Sequence, residues 1–410
     1  MSEALPHRAR RRLFTPWMLA WTAVLAIGLY ASFECLYYGL NRTGMDNRFG
    51  FGLWIFLDLT VIALGAGAFF TGFLLYVLKR NALQDVIKSA VIVGFVCYSG
   101  AVAVLLVDVG QPLRSWFSFW HPNTHSMLTE VVFCITCYLI VLAIEYVPVI
   151  LEQRRLSRIP SFLVFEFELH KLMPVFAIVG TFLSFFHQGS LGGLYGVLQG
   201  QPFAFREGFF IWPTTFFLFV LSAIATGPSF LLLVNRLVEA LTHKRLVRSE
   251  TFDLMAKISG WLLLLYVLFK GIDTLYWLNV TAPALGFAGH VFYEHPPFGT
   301  WVLLTEIVLF GALPAFLLTS PRARRHAGLV NAAAILACLG VATNRLVMTL
   351  QTLALPKLSF TGFASYLPTW QEVAIGSGMI AYGVLVFSLS YRYLPLYPRE
   401  RELANNRGGA

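Results

Sequence analysis

The sequence predicts an all-α integral membrane protein with ten transmembrane helices. Of its 410 residues, 57% are hydrophobic and only 12% are charged, whereas a soluble domain carries about 25% charged residues. Apolar segments of about 20 residues, the length that crosses a bilayer as a helix, recur ten times along the chain. Helices are expected because every backbone amide in lipid must be satisfied within its own segment.

The first predicted helix covers residues 16–38 and follows a basic stretch that contains Arg11 and Arg12. This apolar run is longer than the core of a signal peptide and lacks an A-x-A-like cleavage site, so we expect a retained helix. The other predicted helices cover residues 51–78, 86–109, 127–148, 172–198, 210–238, 256–279, 300–318, 329–350 and 368–391.

The distribution of basic residues predicts the orientation. One set of loops and helix ends holds most of the 30 lysines and arginines. The opposite loops hold Arg42, Arg48, Arg114, Arg206 and Lys357. Because positively charged loops stay in the cytoplasm, both termini are predicted to be cytoplasmic, which agrees with an even number of helices. The net charge of +9 follows this topology and does not indicate nucleic-acid binding.

The predicted outer loops cover residues 111–126, 199–209, 281–298 and 351–367, and they are long, aromatic and weakly charged. The first contains Trp116, Phe119 and Trp120. Aromatic residues at this level either form the interfacial belt of a membrane protein or provide a docking surface for a partner protein. The sequence favours neither alternative.

Residues 185–195 read F-F-H-Q-G-S-L-G-G-L-Y within a long apolar segment. His187 is the only one of nine histidines that we place well inside a predicted membrane helix. Ionisable groups at that depth usually face a cavity and serve a function. The alternative is a neutral histidine hydrogen-bonded to a neighbouring helix. Gly189, Gly192 and Gly193 would let a ligand or another helix approach closely.

Other ionisable residues are predicted at the same level of the membrane. They lie in the outer halves or outer ends of the second to fifth predicted helices, or in the adjoining loop: Asp58, Asp108, Arg114, Glu130 and His187. Helices joined by short connections are usually neighbours, so these side chains are expected to share one chamber. Asp108 is also a candidate for a proton path to the outer side.

A second polar set lies in the seventh to ninth predicted helices. Lys270 and Asp273 share a helix face because they are three residues apart, and Glu306 and Arg345 lie at a similar depth. Two positive and two negative charges balance, as expected in a low dielectric. The set is either a proton path, with Glu145 near its cytoplasmic end, or a structural ion-pair network.

These residues suit quinone chemistry, which needs an apolar slot, a hydrogen-bond partner for the carbonyl and a titratable group. Histidine changes charge near neutral pH, and a nearby carboxylate would orient its tautomer and relay the proton. The candidate catalytic residues are His187, Asp58 and Glu130. The candidate quinone-binding residues are His187, Gln188, Ser190, Asp58 and Arg114.

No redox metal is expected in this chain. Its five cysteines all lie in apolar segments, and the C-x-x-C formed by Cys134 and Cys137 is interpreted as two small apolar side chains. The sequence contains no C-x-x-C-H motif and no cysteine cluster for an iron–sulfur centre. One intramembrane histidine cannot supply both ligands of a bis-histidine haem. Electrons would therefore have to come from, or go to, a partner at the outer face.

Several stretches together resemble the polysulfide reductase NrfD-like family of quinone-interacting membrane subunits, and within it the ten-helix branch of hydrogenase (HybB-type) and sulfite-reduction-associated (DsrP-type) proteins. These stretches are F-G-L-W-I-F-L-D-L-T (51–60), G-A-G-A-F (65–69), P-N-T-H-S-M-L-T-E-V-V-F (122–133), L-A-I-E-Y-V-P-V (142–149), F-H-Q-G-S-L-G-G-L (186–194), F-L-F-V-L-S-A-I-A-T-G (217–227) and N-R-L (344–346). H-Q-x-S-L-G together with H-S-x-x-x-E is fairly specific for this branch.

The resemblance implies two four-helix bundles, formed by helices 2–5 and 6–9 and flanked by helices 1 and 10. It divides the chain into residues 1–50, 51–200, 201–352 and 353–410. It implies a site for menaquinone or ubiquinone near the outer face of the first bundle, beside a ferredoxin-like iron–sulfur subunit. Further catalytic or cytochrome subunits, a bacterial inner membrane and proton translocation are also implied.

Two alternatives remain open at this point. A proton-coupled secondary transporter would also carry buried charges in two bundles. A purely structural membrane anchor would use the same charges for packing alone. Binding of a quinone analogue separates the first interpretation from both alternatives, and ion flux in liposomes separates the alternatives from each other.

Overall fold

The computed structural model describes residues 7–152, 160–198, 200–209, 212–294, 298–357 and 362–398. Ten helices in these ranges are long and apolar enough to cross a membrane, which confirms the predicted fold class. They are α1 (Phe14–Tyr38), α2 (Leu53–Val77), α3 (Ile87–Asp108), α4 (Met127–Leu151), α5 (Lys171–Gly196), α6 (Thr214–Thr242), α7 (Ser249–Ala284), α8 (Thr300–Thr319), α9 (Ala327–Ala354) and α10 (Trp370–Tyr393). The chain is thus a multi-pass integral membrane protein.

Three helices differ in extent from their predicted segments. The helix that contains α5 begins at Pro160, and α7 begins and ends well beyond the predicted 256–279. Hydropathy detects only the apolar part of a helix, whereas polar turns continue it outside the lipid. α6 begins at Thr214, after a short antiparallel pair, β1 (Gly208–Phe209) and β2 (Trp212–Pro213).

Four of the membrane helices contain a stretch of π-helix. These stretches are Phe73–Val77 in α2, Trp277–Thr281 in α7, Thr305–Ala312 in α8 and Val347–Gln351 in α9. A π-turn shifts the hydrogen-bond register by one residue and is frequent at functional sites. The stretch in α8 carries Glu306, and the stretch in α9 ends at Gln351.

The packing of the helices is compatible with two four-helix bundles. Helices α2 to α5 pack against one another, and so do α6 to α9. The two groups meet where α2 packs on α6 and α9 and where α5 packs on α6. A Cβ atom added to Gly67 of α2 would lie 2.5 Å from the carbonyl oxygen of Gly227 in α6. Small residues let the backbones of membrane helices approach this closely. The two remaining helices lie together, α1 on α10 and α10 on α3.

Consecutive membrane helices alternate in direction, so the protein has two ends. We call the end with Tyr38 and Leu53 the outer end, and the end with Val77 and Ile87 the inner end. Side-chain contacts tie the loops together at the inner end. Arg248 Nε donates to Asp85 Oδ2 at 2.7 Å. Most basic loop residues lie at this inner end.

The outer end of the first bundle is closed by a buried carboxylate at the start of α10. Glu372 accepts hydrogen bonds from the backbone N–H of Gly44 at 2.7 Å and of Thr369 at 3.0 Å. It also accepts a bond from the hydroxyl of Tyr366, whose oxygen accepts a bond from the Leu53 N–H at 2.7 Å. Burial and this carboxylate raise the pKa of Tyr366, which therefore stays a donor.

Candidate functional site

His187 is completely buried in α5, and neither ring nitrogen has a hydrogen-bond partner in the described part of the chain. The carbonyl of Val131 in α4 lies near the ring without making a hydrogen bond of normal geometry. Among the described histidine side chains, only this one is buried. The structure thus shows a buried imidazole beside the backbone of α4, which is compatible with both predicted roles of His187.

Tyr98 in α3 is the main neighbour of His187, and the sequence analysis did not identify it. The two ring centroids are 5.8 Å apart. The Tyr98 hydroxyl lies 2.8 Å from Ser184 Oγ and accepts a bond from Gln188 Nε2 at 3.4 Å. The ring also packs edge-on against Tyr138, with centroids 4.6 Å apart. Polar groups of α3, α4 and α5 thus meet around this one phenol.

Asp58 and Asp108 approach the same region from α2 and α3. Asp58 is 4% exposed, and its Oδ1 atom has no hydrogen-bond partner among the described residues. It lies within electrostatic range of both Asp108 and Tyr98. The expected direct contact between Asp58 and His187 is absent from the described residues, because both ring nitrogens are unpaired. Tyr98 instead packs near His187 and lies within electrostatic range of Asp58.

Glu130 lies near the outer end of α4, next in sequence to Val131, whose backbone is beside the His187 ring. It is half-buried, and its carboxylate lies beside the hydroxyl of Ser190. That hydroxyl donates to the carbonyl of Phe186 at 2.7 Å. Among the described residues, no hydrogen bond joins Glu130 to His187. The carboxylates and the imidazole predicted to meet thus converge on α5 without touching one another.

The glycines of the central stretch contact α6. A Cβ atom on Gly189 would lie 2.3 Å from the ring of Phe216, and one on Gly192 would lie 2.4 Å from the carbonyl oxygen of Thr215. Of the two predicted roles, these two glycines therefore serve close helix packing. Gly193 faces Met127 of α4, where the corresponding distance is 3.3 Å.

Arg114 and Glu145 lie away from this centre. Arg114 is exposed in the loop after α3, and its side chain makes no hydrogen bond or ion pair with the residues that the structure describes. Glu145 is half-buried in the inner half of α4. It lies within electrostatic range of Tyr138, the residue that packs against Tyr98, and of Tyr76.

The second polar set contains one more charge than the sequence analysis counted. Arg206, assigned to an outer loop, is 5% exposed, and its Nε donates to Asp273 Oδ2 at 2.9 Å. Asp273 also accepts a bond from Thr214 Oγ1 at 2.5 Å. With Lys270 and Arg345, the set has three cations and two carboxylates, so the predicted balance is wrong. The loop between α5 and α6 folds inward and supplies the extra cation.

Lys270 pairs with Glu306 rather than with Asp273, its neighbour on the same helix face. Lys270 Nζ lies 3.7 Å from Glu306 Oε1, and that oxygen accepts a bond from Asn344 Nδ2 at 2.8 Å. Arg345 Nη1 donates to Asn344 Oδ1 at 2.6 Å. A chain of polar contacts therefore crosses from α7 through α8 to α9.

Arg345 is fully buried, and its hydrogen-bond partners among the described residues are neutral groups of Asn344, Phe219 and Ser222. Its Nη2 donates to Ser222 Oγ at 2.9 Å, and its guanidinium carbon lies 3.5 Å from the ring centroid of Phe219 in α6. A cation over an aromatic face is stabilised by the ring quadrupole. Arg345 thereby closes the polar chain of α7 to α9 back onto α6.

A small polar cavity lies beside the second polar set. Its lining includes Arg206, Lys270, Tyr293, Glu306 and Gln351. Gln351 is 1% exposed, and its Nε2 atom has no hydrogen-bond partner in the described part of the chain. The sequence analysis did not predict this cavity, because its walls come from helices and a loop far apart in the chain.

Among the described residues, no group of three or more His, Cys, Asp or Glu side chains is arranged to hold a metal ion. Cys134 and Cys137 are free thiols on α4, partly exposed. The groups available at the two polar centres are therefore hydrogen-bond donors, acceptors and proton carriers.

Comparison with known proteins gives consistent matches over nearly the whole chain. Residues 41–356 match the family described as polysulphide reductase, NrfD. The chain is 51% identical to the menaquinone reductase integral membrane subunit of Nitratidesulfovibrio vulgaris, covering 98% of this chain and 97% of that protein. It is 25% identical to the probable Ni/Fe-hydrogenase 2 b-type cytochrome subunit of Escherichia coli (91% and 90% covered). It is 22% identical to a selenate reductase subunit of Mesobacillus selenatarsenatis (94% and 95% covered).

Proposed function

Because the chain belongs to the polysulphide reductase NrfD family, we propose that it is the quinone-interacting membrane subunit of a respiratory oxidoreductase complex. The relative with 51% identity is named as a subunit of a menaquinone reductase. That name supports menaquinone over ubiquinone and quinone reduction over quinol oxidation. The remaining relatives are named as subunits of hydrogenase and reductase complexes, which supports an assembly with catalytic partners.

One observation carries this proposal: a buried imidazole without a hydrogen-bond partner, surrounded by other unpaired polar atoms. Besides both nitrogens of His187, the unpaired atoms include Asp58 Oδ1 and Gln188 Oε1. Leaving a buried polar group unpaired costs about 1–3 kcal/mol, so such atoms are usually paired. A quinone carbonyl would accept the imidazole N–H of His187, and the flat quinone ring would lie against Tyr98. The unpaired oxygens of Asp58 and Gln188 are acceptors, which suit the hydroxyl groups of the reduced quinol.

The roles of the residues follow from their hydrogen-bonding capacity. A neutral imidazole has one N–H donor and one acceptor nitrogen, so His187 donates to a quinone carbonyl and passes that proton on while its other nitrogen accepts a replacement proton. Gln188 has its amide N–H on Tyr98 and its carbonyl oxygen free. The bound quinone supplies the two-electron chemistry, and the protein supplies orientation and protons.

Asp58 and Asp108 are proposed to exchange protons between the site and the outer end. Asp58 is buried near Tyr98, and Asp108 lies at the outer end of α3, within electrostatic range of Glu372. Glu130, beside Ser190, offers a second route along α4. Like charges near one another favour sharing of protons, as relay groups require.

The partner is proposed to be a ferredoxin-like iron–sulfur subunit at the outer end, together with further catalytic or cytochrome subunits. Exposed Trp116 and Trp120 in the loop before α4 would contribute to its docking surface. The basic loops at the inner end support an inner-membrane location with both termini cytoplasmic. A single buried histidine among the described residues supports a chain without bis-histidine haem, although the Escherichia coli relative is named a b-type cytochrome subunit.

The domain limits 1–50, 51–200, 201–352 and 353–410 are proposed to separate the first helix, the quinone bundle, the second bundle and the last helix. The helix ends support a boundary near residue 200, since α5 ends at Gly196 and α6 begins at Thr214. Lys270, Asp273, Glu306 and Arg345 of the second bundle, with Glu145, are proposed to conduct protons.

The test uses His187→Ala in the intact complex, with His326→Ala as the control because His326 is exposed in the loop before α9. We expect His187→Ala to abolish quinone-linked turnover and to weaken binding of a short-tailed menaquinone analogue, while the complex still assembles. His326→Ala should retain both activities. Unchanged turnover in His187→Ala would remove the histidine from the mechanism.

The buried charges and cavity of the second bundle also favour a proton-coupled secondary transporter as an alternative. Proteoliposomes containing the complex separate the alternatives. Proton uptake that requires both electron donor and quinone supports the proposal, whereas uptake driven by a solute gradient without quinone supports the transporter. A structural anchor would show neither quinone-analogue binding nor flux.

A further inference from the structure

Arg206 holds the end of α5 with its backbone and α7 with its side chain. Its N–H donates to the carbonyl oxygen of Gly196, the last residue of α5, at 3.0 Å. Its Nε donates to Asp273 Oδ2 of α7 at 2.9 Å, and both side chains are about 5% exposed. One residue therefore joins the helix that carries His187 to the second polar set.

The guanidinium is fixed by several further contacts. Nη1 donates to the carbonyl oxygens of Phe203 at 2.7 Å and Phe205 at 2.9 Å. The guanidinium carbon lies 5.1 Å from the ring centroid of Trp277. The planar guanidinium presents several N–H groups at fixed angles, so lysine could not reproduce these bonds. The loop between α5 and α6 is thus held in one conformation against α7.

The packing of α5 makes the position of its end important for His187. On the face opposite His187, Gly189 and Gly192 touch α6 with no room for a methyl group. The other face meets Tyr98 and Val131. A close-packed helix between two rigid surfaces moves as a unit, so a shift at its end displaces the imidazole.

The polar chain described above returns to the same helix. It runs from Asp273 past Lys270 and Glu306 to Arg345, which contacts the ring of Phe219. Phe219 in turn lies against Gly192 of α5, where an added Cβ would be 2.6 Å from its ring. The end of α5 and its middle are therefore both held by groups of the second bundle.

We propose that Arg206 is a positioning residue for the site on α5, holding His187 in register through Gly196 and Asp273. The inference rests on the proposed quinone function of that site. Arg206 does not touch the quinone and does not transfer protons to it. Its loss loosens the end of α5, and the quinone then binds to a site whose hydrogen-bonding groups are misplaced.

A matched control exists at the inner end of the same helix α7. Arg324 Nε donates to Asp253 Oδ1 at 2.8 Å, and its Nη1 donates to the carbonyl oxygens of Leu318 at 3.1 Å and Thr319 at 2.7 Å. Like Arg206, this arginine donates from Nε to a carboxylate of α7 and from Nη1 to two backbone carbonyls. It lies at the opposite end of α7, and its partner Asp253 is 54% exposed, so the variant reports the loss of similar bonds away from the end of α5.

The experiment compares Arg206→Gln with Arg324→Gln in the intact complex. We expect Arg206→Gln to raise the KM for a menaquinone analogue about tenfold with a smaller loss of kcat. The displaced hydrogen-bonding groups of α5 would bind the analogue more weakly in the geometry that reacts. Arg206→Lys should restore part of the loss, because it keeps the charge pair with Asp273. Arg324→Gln should change KM less than about twofold.

A second measurement does not depend on quinone. Hydrogen exchange of the Val197 and Leu198 amides should be faster in Arg206→Gln than in the wild type and unchanged in Arg324→Gln. If Arg206→Gln fails to assemble, Asp273→Asn serves instead and should give the same pattern. Unchanged exchange and KM in Arg206→Gln, or an equal KM rise in Arg324→Gln, would overturn the proposal. A wild-type complex that binds no quinone analogue would instead refute the proposed function. Hydrogen exchange alone would then decide whether Arg206 holds the end of α5.

Discussion

Lys270 Nζ lies 3.7 Å from Glu306 Oε1 in the interior of the second bundle, where the two side chains are only 7% and 3% exposed. Glu306 also accepts a hydrogen bond from Asn344 and lies in the π-helical stretch of α8. Attraction between opposite charges is strong in such surroundings, but each charge depends on the other for compensation. The pair therefore stabilises the protein only while both members are present.

Glu306→Gln should lower the free energy of unfolding by about 3 kcal/mol, because a buried ammonium group loses its carboxylate. The amide oxygen of glutamine can still accept the bond from Asn344, so the change tests the charge alone. Unfolding in detergent, followed by circular dichroism, measures the effect. Adding Lys270→Met to Glu306→Gln should recover part of the lost free energy of unfolding. If the destabilisations of the two single variants simply add in the double variant, the pairing is contradicted.

Tyr98→Phe should cost about 1 kcal/mol of stability through the lost hydroxyl bond, and it should also weaken quinone binding. Tyr382→Phe is its control. The hydroxyl of Tyr382, on α10, lies 2.9 Å from the hydroxyl of Ser99, which is on a different face of α3 from Tyr98. Both variants should lose similar stability, measured by unfolding. Only Tyr98→Phe should reduce affinity for a quinone analogue, and equal affinities in the two variants would argue against a role for the phenol.

Gly192→Ala should destabilise the protein by about 2 kcal/mol, because the added methyl group would meet the backbone of α6, which cannot move aside. Gly271→Ala in α7 is the control, since a Cβ there has no atom within 4 Å. The control should be neutral or should raise stability by up to about 1 kcal/mol through its higher helix propensity. Thermal unfolding of the two variants is measured in parallel. A Gly192→Ala variant as stable as Gly271→Ala would contradict the close packing of Gly192 on α6.

Glu372→Gln should destabilise the outer end by about 2 kcal/mol, because charge-assisted bonds to a buried carboxylate are strong. Amide exchange of Gly44 and Thr369 should become faster, since both donate to this side chain. Glu34→Gln offers a comparison, because Glu34 on α1 is half-buried and, among the described residues, accepts side-chain bonds from Tyr30 and Gln371 alone. Protection of Gly44 that survives the Glu372 change would contradict the assigned role.

Hydropathy predicted the membrane helices well because each must satisfy its own backbone in lipid. Their ends were less accurate, as α7 shows, since polar turns extend a helix beyond the apolar run. His187 could be identified because an ionisable residue is conspicuous in an apolar segment. Tyr98 could not, because a tyrosine among apolar residues is ordinary in a membrane helix and only its contacts reveal its place.

Arg206 shows the same limit for charges. By sequence it belongs to a loop at the membrane surface, where basic residues are common. Only the folding of that loop against α7 brings it to Asp273 and changes the charge of the second set. Lys270 and Asp273 share a helix face, which suggested an ion pair between them. In the structure, Lys270 pairs instead with Glu306 on the neighbouring helix α8.

The sequence by itself determined the class of the protein, the number of apolar helices and the place of His187 within the fifth of them. These properties depend on local composition, because the bilayer acts on each segment separately. Only the tertiary structure decided that Tyr98 adjoins His187, that Gly189 and Gly192 pack on α6, and that Arg206 reaches the second bundle. Side-chain partners depend on how helices rotate and pack, and that information is spread over residues far apart in the chain.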